Sequence, residues 1–362
     1  MLLHQIAITL IPGIGDINGK KLIAHCGSAE AVFREKRNNL MKIPGMGMAT
    51  VNSILGSKVL ARAEEEVNFI QRYRIKPLYF LDEGYPQRLR HCIDGPVMLY
   101  LRGNADLNAP RILSVVGTRR ASEYGREMTA KIIGDLKDSG VLIISGLAYG
   151  IDTIAHRTAL AQGIPTVGIL AHGLDRIYPG ANRKMAISMQ QQGGLLTEFL
   201  SRTNPDRENF PKRNRIVAGM ADATLVIESA VKGGAIITAN IAHSYDRDVF
   251  AVPGRCNDPL SQGCNYLIKS NKAAMVETGE DIAYFMQWEG HGRTGSRQGK
   301  LFRDLTDEEQ KVMDILRGSD QASIDFLVMS SKLSNSKIAA VLLELEFDGM
   351  VKSLPGKMYR AL

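Results

Sequence analysis

The 362-residue sequence contains few cysteines, few aromatic residues and no long apolar run. Its four cysteines (Cys26, Cys92, Cys256 and Cys264) are widely scattered, which argues against a disulfide framework and predicts reduced thiols. No stretch approaches the roughly 18–20 apolar residues that a membrane-spanning helix needs. The first residues lack a basic segment followed by a small-residue cleavage site, so we expect no signal peptide. These absences favour a cytoplasmic protein without a membrane partner.

The charge and composition are those of a folded protein with a modest positive excess. There are 45 Lys and Arg residues against 38 Asp and Glu residues, which gives a formal net charge of +7. Hydrophobic residues make up 44% and charged residues 23%, a balance that excludes extensive disorder. A chain of this length predicts two or three domains. The positive excess is compatible with an anionic partner but does not identify one.

Residues 1–75 are predicted to form short helices around two similar turns. The turns are Ile-Pro-Gly-Ile-Gly at 11–15 and Ile-Pro-Gly-Met-Gly at 43–47. Their glycines can expose backbone N–H groups at a helix start, where a phosphate binds, and such paired turns resemble helix-hairpin-helix DNA-binding units. Alternatively, each turn only makes a tight connection between helices. Few basic residues flank the turns: Lys20, Lys21 and Lys42.

From residue 111 onward, short apolar segments that end in glycine-containing loops alternate with amphipathic helical segments. The predicted strands are 112–116, 142–145, 166–170, 224–227 and 249–252. Because buried strands alternate with helices, the segment predicts an α/β fold with a doubly wound parallel sheet. Ligands bind such sheets beyond the carboxyl ends of the strands, where these loops lie.

The C-terminal part has a different composition. A polar, glycine-rich and basic stretch at 289–303 predicts a linker. Beyond it, Thr306 and Glu309 form a capping-box pattern for the first of three predicted helices, and a β-hairpin is predicted around Pro355. Three helices and a hairpin are typical of a winged helix. The charges of its second and third helices do not favour DNA binding, so a docking role is an equal alternative. These charged residues are Asp325, Lys332, Lys337, Glu344 and Glu346.

The loop after the first predicted strand of the sheet combines glycine, arginine and serine. Gly117 permits close approach of the backbone, and Ser122 can cap the helix that follows. Arg119 and Arg120 lie beside the positive end of that helix, so the loop predicts a site for a phosphate or a nucleic-acid backbone. The alternative is that both arginines pair with surface carboxylates.

The loop after the second strand contains Gly146 and Gly150 and leads into Asp152 and His156. These two side chains are four residues apart, on one face of the predicted helix. Catalysis or metal binding would need a third partner that the sequence does not supply. We therefore expect Asp152 to hold the loop by accepting backbone N–H groups, and His156 to pack below it.

The segment 210–216 is the strongest candidate for nucleic-acid contact. Four donor-bearing side chains follow Phe210 and a proline, and a basic cluster beside a ring suits single-stranded nucleic acid. A further glycine loop at 228–239, with Lys232, can complete an anion-lined groove. Cys256 and Cys264 are separated by seven residues and have no neighbouring histidine, so we predict no zinc site and no other metal.

Seven ordered motifs between about residues 112 and 268 resemble the DNA-processing protein A (DprA/Smf) family. They are GTRRASEYG, SGLAYGIDTIAH, GLDRIYPGAN, FPKRNRI, KGGAIITA, VFAVPG and GCNYLI. The resemblance implies an extended Rossmann-like doubly wound sheet with a helical N-terminal domain (helix-hairpin-helix or SAM-like) and a winged-helix C-terminal domain. It also implies a homodimer without cofactor or catalytic residues, which binds and protects incoming single-stranded DNA and loads RecA recombinase onto it during natural transformation.

The resemblance also implies site residues and domain bounds. Arg119 would be the main DNA-binding arginine, and Gly234 and Ala235 would offer backbone donors. The full predicted DNA-binding set is Arg119, Arg120, Ser122, Phe210, Lys212, Arg213, Asn214, Arg215, Lys232, Gly234 and Ala235. The predicted structural loop residues are Gly117, Gly146, Gly150, Asp152 and His156. The predicted dimer residues are Leu267 and Ile268, which could equally be core residues. The predicted domains are 1–75 (helical), 76–288 (Rossmann-like, DNA-binding and dimerising), 289–303 (linker) and 304–362 (winged helix).

One departure from the family pattern leaves an alternative function open. The family usually has Lys-Ser-Gly-Ser where this chain has Lys-Gly-Gly-Ala at 232–235, so a hydroxyl donor is lost. Related Rossmann-like enzymes that split N-glycosidic bonds of nucleotides carry a glutamate after the glycines of this loop. Here no glutamate follows, and Glu228 is the only nearby substitute. The alternative is therefore a nucleotide hydrolase of that group. A dinucleotide cofactor is not expected, because no loop has Gly-x-Gly-x-x-Gly with an acidic residue at the next strand end.

Overall fold

A computed structural model of the protein describes residues 1–288, 305–319 and 321–362. The predicted linker at 289–303 and residue 304, where the predicted winged-helix domain begins, lie outside the described residues. Within the described part of the chain, no helix is both long and apolar enough to cross a membrane by itself. One pair of C-terminal helices meets those criteria only when taken together across a bend of 112°.

The N-terminal region is helical and begins with two short helices joined by the first glycine turn. Its helices are α1 (Leu2–Leu10), α2 (Asp16–Cys26), α3 (Ala29–Arg34), α4 (Arg37–Leu40), α5 (Met48–Leu55) and α6 (Leu60–Arg72). Gly27 ends α2 in the left-handed region at φ 87°, and Ser28 caps α3 by accepting the Ala31 N–H at 3.1 Å. At the start of α2, the Asp16 carboxylate accepts the Val97 N–H at 2.8 Å. A carboxylate in the first turn disfavours a bound phosphate. This turn therefore fits better the alternative in which it only makes a tight connection between two helices.

The central sheet has nine strands. They are β1 (Lys76–Tyr79), β2 (Met98–Gly103), β3 (Ile112–Val116), β4 (Leu142–Ser145), β5 (Thr166–Ile169), β6 (Gly193–Thr197), β7 (Ala223–Val226), β8 (Asp248–Ala251) and β9 (Ala274–Met275). Their order is β1-β2-β6-β5-β4-β3-β7-β8-β9, and the strands from β6 to β9 in this order are parallel. The predicted Rossmann-like doubly wound fold is confirmed.

The expectation of a wholly parallel sheet is wrong at one edge. Strands β1 and β2 pair antiparallel with each other, and β2 pairs antiparallel with β6. Pro77 lies in β1, the outermost strand, where the N–H group that proline lacks is not needed by a neighbour. A short antiparallel pair therefore ends the sheet on this side.

Helices cover both faces of the sheet. They are α7 (Gln87–Arg90), α8 (Glu123–Asp135), α9 (Ile151–Gln162), α10 (Arg183–Met189), α11 (Asn209–Met220), α12 (Gly234–Ser244), α13 (Gln262–Lys269) and α14 (Gly279–Phe285), with 3₁₀ turns at Lys137–Ser139 and Gly180–Asn182. Ile112 and Leu113 are neighbours in β3 and are both fully buried, in separate hydrophobic clusters. Since successive strand residues point to opposite faces, this is why the central strands are predominantly apolar on both faces.

The strand order places a topological switch point between β3 and β7. From β3 the chain moves outward through β4, β5 and β6 on one side, and later through β7, β8 and β9 on the other side. The loops that follow β3 and β7 therefore diverge and leave a crevice at the carboxyl ends of the strands. Ligands of doubly wound sheets bind in such a crevice.

The C-terminal unit confirms the predicted winged helix. It contains α15 (Asp307–Arg317), β10 (Ala322–Ser323), α16 (Ile324–Ser331), α17 (Asn335–Phe347), β11 (Val351–Leu354) and β12 (Met358–Ala361). The predicted capping box starts α15, because the Thr306 N–H donates to the Glu309 carboxylate at 2.8 Å and the Glu309 N–H donates to the Thr306 hydroxyl. The three strands form a small sheet in the order β10-β12-β11.

Glu66 joins the N-terminal helices to the sheet. It lies on α6, is buried, and accepts the Ser201 N–H at 2.9 Å and the Ser201 hydroxyl at 2.6 Å. Arg62, one turn earlier on α6, pairs with the Glu66 carboxylate at 2.8 Å and donates to the Ser201 carbonyl at 2.7 Å. The buried Glu66 carboxylate therefore has hydrogen-bond partners both in the N-terminal helices and in the segment that follows β6.

His156 is buried and neutral. Its Nδ1 lies 2.7 Å from the Thr166 hydroxyl, which donates its own proton to the Ile143 carbonyl at 3.0 Å, so Nδ1 must be the donor. The other ring nitrogen has no hydrogen-bond partner among the described residues. Burial, with the nearby positive charge of Arg213, lowers the pKa of His156 to about 3.

Removing the Glu66 carboxylate is expected to weaken the packing of the N-terminal helices on the sheet. Glu66→Ala leaves the Ser201 N–H and Arg62 without their acceptor, and it should lower the free energy of unfolding by roughly 3 kcal/mol. Urea titration measures the loss. Glu64→Ala is the matched control, since Glu64 is exposed on the same helix and should change stability by less than about 0.5 kcal/mol. Equal stability of both variants would contradict the assignment.

His156 should make the protein less stable in acid. The pKa of this histidine is about 3 in the folded state against 6.5 when solvated, so below pH 6.5 the unfolded chain binds a proton that the folded chain does not. Stability is lost as pH falls through this window, with a slope of up to about 1.4 kcal/mol per pH unit. His156→Asn, measured by urea unfolding between pH 4 and 7, should lack this component. The exposed His243→Asn control should keep it, and parallel slopes for the His156 variant and the parent would refute the origin proposed.

Candidate nucleic-acid interface

The loops that follow β3, β4 and β7 are bonded into one surface at the carboxyl ends of the strands. The Thr118 N–H donates to the Glu228 carbonyl at 2.8 Å, and the Ile151 N–H donates to the Thr118 carbonyl at 3.1 Å. Gly150, at φ 76°, allows the second contact, because a Cβ there would lie 2.2 Å from the Thr118 carbonyl oxygen. The crevice at the switch point therefore has a defined backbone framework.

An arginine and three aromatic rings line a small cleft in this surface. We call it the aromatic cleft: Arg119, Tyr149, Tyr178 and Phe210. The guanidinium carbon of exposed Arg119 lies 5.1 Å from the centre of the Phe210 ring, within the range of a cation–π contact. The Tyr178 ring meets Phe210 edge-on at 6.3 Å. Tyr149 and Tyr178 are 50% and 46% exposed, so their rings are open to a partner.

A buried histidine fixes the backbone at Tyr178. His172 donates from Nδ1 to the Gly173 carbonyl at 2.9 Å and accepts the Tyr178 N–H on its other ring nitrogen at 3.2 Å. Both contacts suit the neutral ring, and burial lowers the pKa of His172. The loop after β5 thus carries Tyr178 into the aromatic cleft.

Tyr149, Tyr178 and His172 were not among the residues predicted for the site. Each lies in a loop that directly follows a predicted strand, which is the available signal in the sequence. An aromatic side chain in such a loop is not part of the apolar face of a helix or strand. Half-exposed rings of this kind are typical of binding surfaces.

Glu228 occupies the position that was predicted for a bound anion. It is 1% exposed, and its carboxylate accepts the Ser122 N–H at 3.0 Å and the Ser122 hydroxyl. The Ser122 hydroxyl in turn accepts the Gly125 N–H at 3.1 Å, so Ser122 caps α8 as predicted. Since a carboxylate of the chain itself already satisfies the start of α8, Ser122 is not presented to a ligand. Arg119 and Arg120 are exposed beside it.

Arg213 lies beneath the aromatic cleft rather than in it. It is 5% exposed and donates from Nη1 to the Ile169 carbonyl at 3.0 Å. Gly146 makes room for it, because a Cβ at that position would lie 1.5 Å from the guanidinium. Burial and the positive charge of Arg213 act in opposite directions on Asp152, and burial dominates, so the pKa of Asp152 is raised. Asp152 accepts the Ala148 N–H at 3.2 Å and so holds the loop.

Arg215 also points away from the aromatic cleft. Its guanidinium pairs with Glu198 and with Asp16, the latter at 3.1 Å, and donates to the Asp94 carbonyl. It therefore connects the start of α2 to the sheet. Of the predicted basic segment, Lys212 is exposed and Asn214 is half-buried.

Of the three donors predicted in the loop before α12, two are exposed to solvent and one is buried. Lys232 and Gly234 are exposed, whereas Ala235 is buried at the first turn of the helix. Gly233 occupies the N-cap position and offers no side-chain acceptor to the first N–H groups of α12. This helix start therefore differs from that of α8, which is capped by Ser122.

Of the two residues predicted for a dimer contact, one is a core residue and the other is half-buried. Leu267 is fully buried and Ile268 packs against the same hydrophobic cluster. They lie on α13, whose apolar side packs on the sheet, so Leu267 is not presented to a second chain, whereas Ile268 keeps part of its surface open. The exposed apolar side chains in this part of the surface are Val231, Ile237 and Tyr266.

All four cysteines are free thiols. Within the part of the chain that the structure describes, no group of three or more His, Cys, Asp or Glu side chains is placed to hold a metal ion.

Comparisons with known proteins agree over most of the chain. The family model for DNA recombination-mediator protein A matches residues 76–287, and the model for the DprA winged helix domain matches residues 302–357. Protein Smf of Synechocystis is 30% identical over 99% of this chain and 98% of its own length. DNA processing protein DprA of Streptococcus pneumoniae is 39% identical over 56% of this chain and 71% of its own length.

Two solved structures are similar. That of DNA processing protein A from Streptococcus pneumoniae has a TM-score of 0.69 at 31% identity and covers 80% of this chain and 99% of that chain. That of DNA processing protein A from Helicobacter pylori, described by its single-stranded DNA binding mode, has a TM-score of 0.54 at 28% identity, covering 59% of this chain and 96% of that chain. The protein therefore belongs to the DNA recombination-mediator protein A (DprA/Smf) family.

Proposed function

We propose that this protein binds single-stranded DNA in the aromatic cleft and acts as a recombination mediator. One observation carries the proposal: exposed Arg119, in the loop after β3, lies over the Phe210 ring, and two half-exposed tyrosines from the loops after β4 and β5 lie beside it. Positive charge next to open rings is the combination that single strands need, since the backbone is anionic and unpaired bases stack. The single-stranded DNA binding mode described for the Helicobacter pylori relative supports the same assignment.

The exposed cations at this end of the sheet would contact the phosphates of a strand, and the rings of the cleft would contact its bases. Arg119, Arg120, Lys212 and Lys232 are exposed and can neutralise phosphates along a strand. The Gly234 N–H at the uncapped start of α12 adds a backbone donor of the kind that binds phosphate oxygens. Phosphate contacts carry little sequence information, so binding should tolerate any base sequence.

Buried Arg213 and Arg215 support this surface from within. The aromatic cleft lies over Arg213, while Arg215 anchors α11 to the N-terminal region. We propose that residues 1–75, 76–288 and 304–362 act as separate domains around the linker 289–303, and that the middle domain carries DNA.

We extend the proposal to protection of incoming single-stranded DNA and loading of RecA recombinase onto it in natural transformation. Membership of a recombination-mediator family supports this extension. We further propose a cytoplasmic homodimer, for which the exposed apolar side chains Val231, Ile237 and Tyr266 offer a surface.

Glu228 gives no support to the alternative of nucleotide hydrolysis. A catalytic carboxylate must reach the reacting bond, whereas Glu228 is buried and both its oxygens accept hydrogen bonds from Ser122. We therefore propose that the protein acts by binding, without cofactor or metal.

Two substitutions should separate phosphate contact from base stacking. Arg119→Ala should weaken binding to a dT oligonucleotide at least about tenfold and make the slope of log K against log salt less steep by about 0.7, since one phosphate contact is lost. Tyr149→Ala should cost about 1–3 kcal/mol of binding free energy and leave that slope unchanged. Fluorescence anisotropy at several salt concentrations measures both.

Lys137→Ala is the control for these variants, because Lys137 is exposed in the turn after α8, at the opposite end of the sheet. It should change neither affinity nor slope by more than a small amount. Parental binding by both test variants would overturn the assignment of the cleft.

The mediator part of the proposal is tested by strand exchange. RecA acting on DNA covered with a single-strand-binding protein should start faster when the parent protein is added, and Arg119→Ala should lose this stimulation because it no longer holds the strand. A strand-exchange rate unaffected by the parent protein, with DNA binding intact, would reject the mediator role and leave the DNA-binding role standing.

A further inference from the structure

A second cleft lies at the opposite end of the sheet, between its amino-end edge and the winged helix. It has a volume of about 400 Å³, and we call it the amino-end cleft. Arg111 directly precedes β3, Asp222 directly precedes β7 and Arg247 directly precedes β8, so these three line its sheet side. The hairpin β11–β12 lines the other side.

Backbone contacts hold the hairpin against the sheet. Arg247, which is 6% exposed, donates from Nη1 to the Pro355 carbonyl at 2.9 Å and from Nη2 to the Arg88 carbonyl at 2.9 Å. The Gly356 N–H donates to the Asp246 carbonyl at 2.9 Å. The cleft is therefore bounded by a defined turn rather than by two surfaces that only lie near each other.

The lining carries an excess of positive charge. Arg88 and Asp222 form a bidentate pair at 2.6 and 2.8 Å and neutralise each other. Asp222 is the only carboxylate among the lining residues that the structure describes. The remaining lining cations are Arg111, Arg247, Lys352 and Arg360.

Two of these cations face each other directly across the hairpin. Lys352 of β11 and Arg360 of β12 are paired in register, an arrangement in which like charges destabilise a sheet. Burial lowers the pKa of Lys352, and the charges of Arg360 and Arg111 lower it further. Such an arrangement is unfavourable by itself and becomes favourable when an anion lies between the charges.

We infer that the amino-end cleft binds a nucleoside polyphosphate. The guanidinium groups of Arg111 and Arg360 and the ammonium group of Lys352 suit a phosphate chain with several negative charges, because arginine recognises phosphate oxygens in pairs. Arg247 adds positive charge from behind them, since both of its Nη groups already donate to backbone carbonyls. The volume lies in the range of small-ligand sites. Gln87, Asn108 and Gln321 add amide groups that can bind a base or a sugar.

The ligand would contact the winged helix and the sheet together. Lys352 and Arg360 belong to the former, whereas Arg111 and Arg247 belong to the latter. A phosphate chain between them removes the repulsion across the cleft and so favours the docked position of the winged helix. The bound nucleotide is therefore expected to stabilise the full chain against unfolding.

Trp288 gives this inference a direct readout. It is the only tryptophan of the chain and it lines the amino-end cleft, so intrinsic tryptophan fluorescence reports on this place alone. Titration of the full-length parent with ATP should change the emission in a saturable way. The double variant Lys352→Ala/Arg360→Ala should weaken the ATP affinity at least about tenfold.

The double variant is expected to fold, because it removes a pair of facing like charges, and circular dichroism checks this. The matched control is Lys311→Ala/Arg317→Ala, which removes the same charge from exposed positions of α15 in the same unit. It should bind ATP like the parent.

A second arm separates a free nucleotide from phosphates of nucleic acid. In the Arg119→Ala background, which weakens the aromatic cleft, ATP, inorganic pyrophosphate and a short dT oligonucleotide are titrated separately. Saturation by ATP, with weaker binding of pyrophosphate, supports the inference. A response to the oligonucleotide alone overturns the assignment to a nucleotide, and so does the absence of any ATP response in the parent. Equal ATP affinity of the parent and the Lys352/Arg360 variant places the ligand elsewhere and also overturns it.

Discussion

A buried carboxylate organises the crevice of this protein. Glu228 follows β7 and reaches across the switch point to Ser122, at the start of the helix that follows β3. A charge that is removed from water needs such partners, and the N–H groups of a helix start supply them together with the positive end of the helix dipole. The contact joins the two loops that diverge at the switch point. It therefore determines where Arg119 lies, only three residues before Ser122.

Below the aromatic cleft, a buried positive charge is stabilised by hydrogen-bond and charged partners in the same way. Arg213 is buried, and its guanidinium reaches the carbonyl end of β5, while Asp152 lies near enough to oppose the cost of burial. The charged groups that shape the surface are thus inside the protein, where they are paired or hydrogen-bonded. The charged groups that can meet a ligand are outside and carry no comparable constraint. This division explains why a compact basic sequence segment contributes so unevenly to the candidate interface.

Much of the fold was predictable, because alternating apolar strands and amphipathic helices leave few arrangements, and the ordered motifs identified the family. The antiparallel edge was not, since β1 and β2 are short and their direction depends on pairing and not on composition. The basic segment misled for a geometric reason. Residues 210–215 lie on a helix, where successive side chains turn by about 100°, so they cannot all face one groove. Phe210 faces the cleft while Arg215, about 140° further round the helix, turns towards Glu198 and Asp16.

Ser122 was predicted correctly as a cap. Its predicted contact with a ligand took no account of Glu228, because nothing in the local sequence shows that this residue, more than a hundred positions later, fills the space beside Ser122. The half-exposed tyrosines were missed for a related reason. Their role depends on loops from different strands meeting at one edge, which is a property of strand order and not of any single segment.

The parallel direction of the central strands gives the molecule two unlike poles. A five-residue strand such as β3 is about 17 Å long, so the pole that carries Arg119 and the pole that carries the hairpin turn at Pro355 are separated by at least the length of such a strand. Nucleotides bound at the first pole, as we propose, are therefore out of reach of the hairpin turn as long as that turn remains docked. The hairpin turn can contact the same nucleotides only after its release from Arg247.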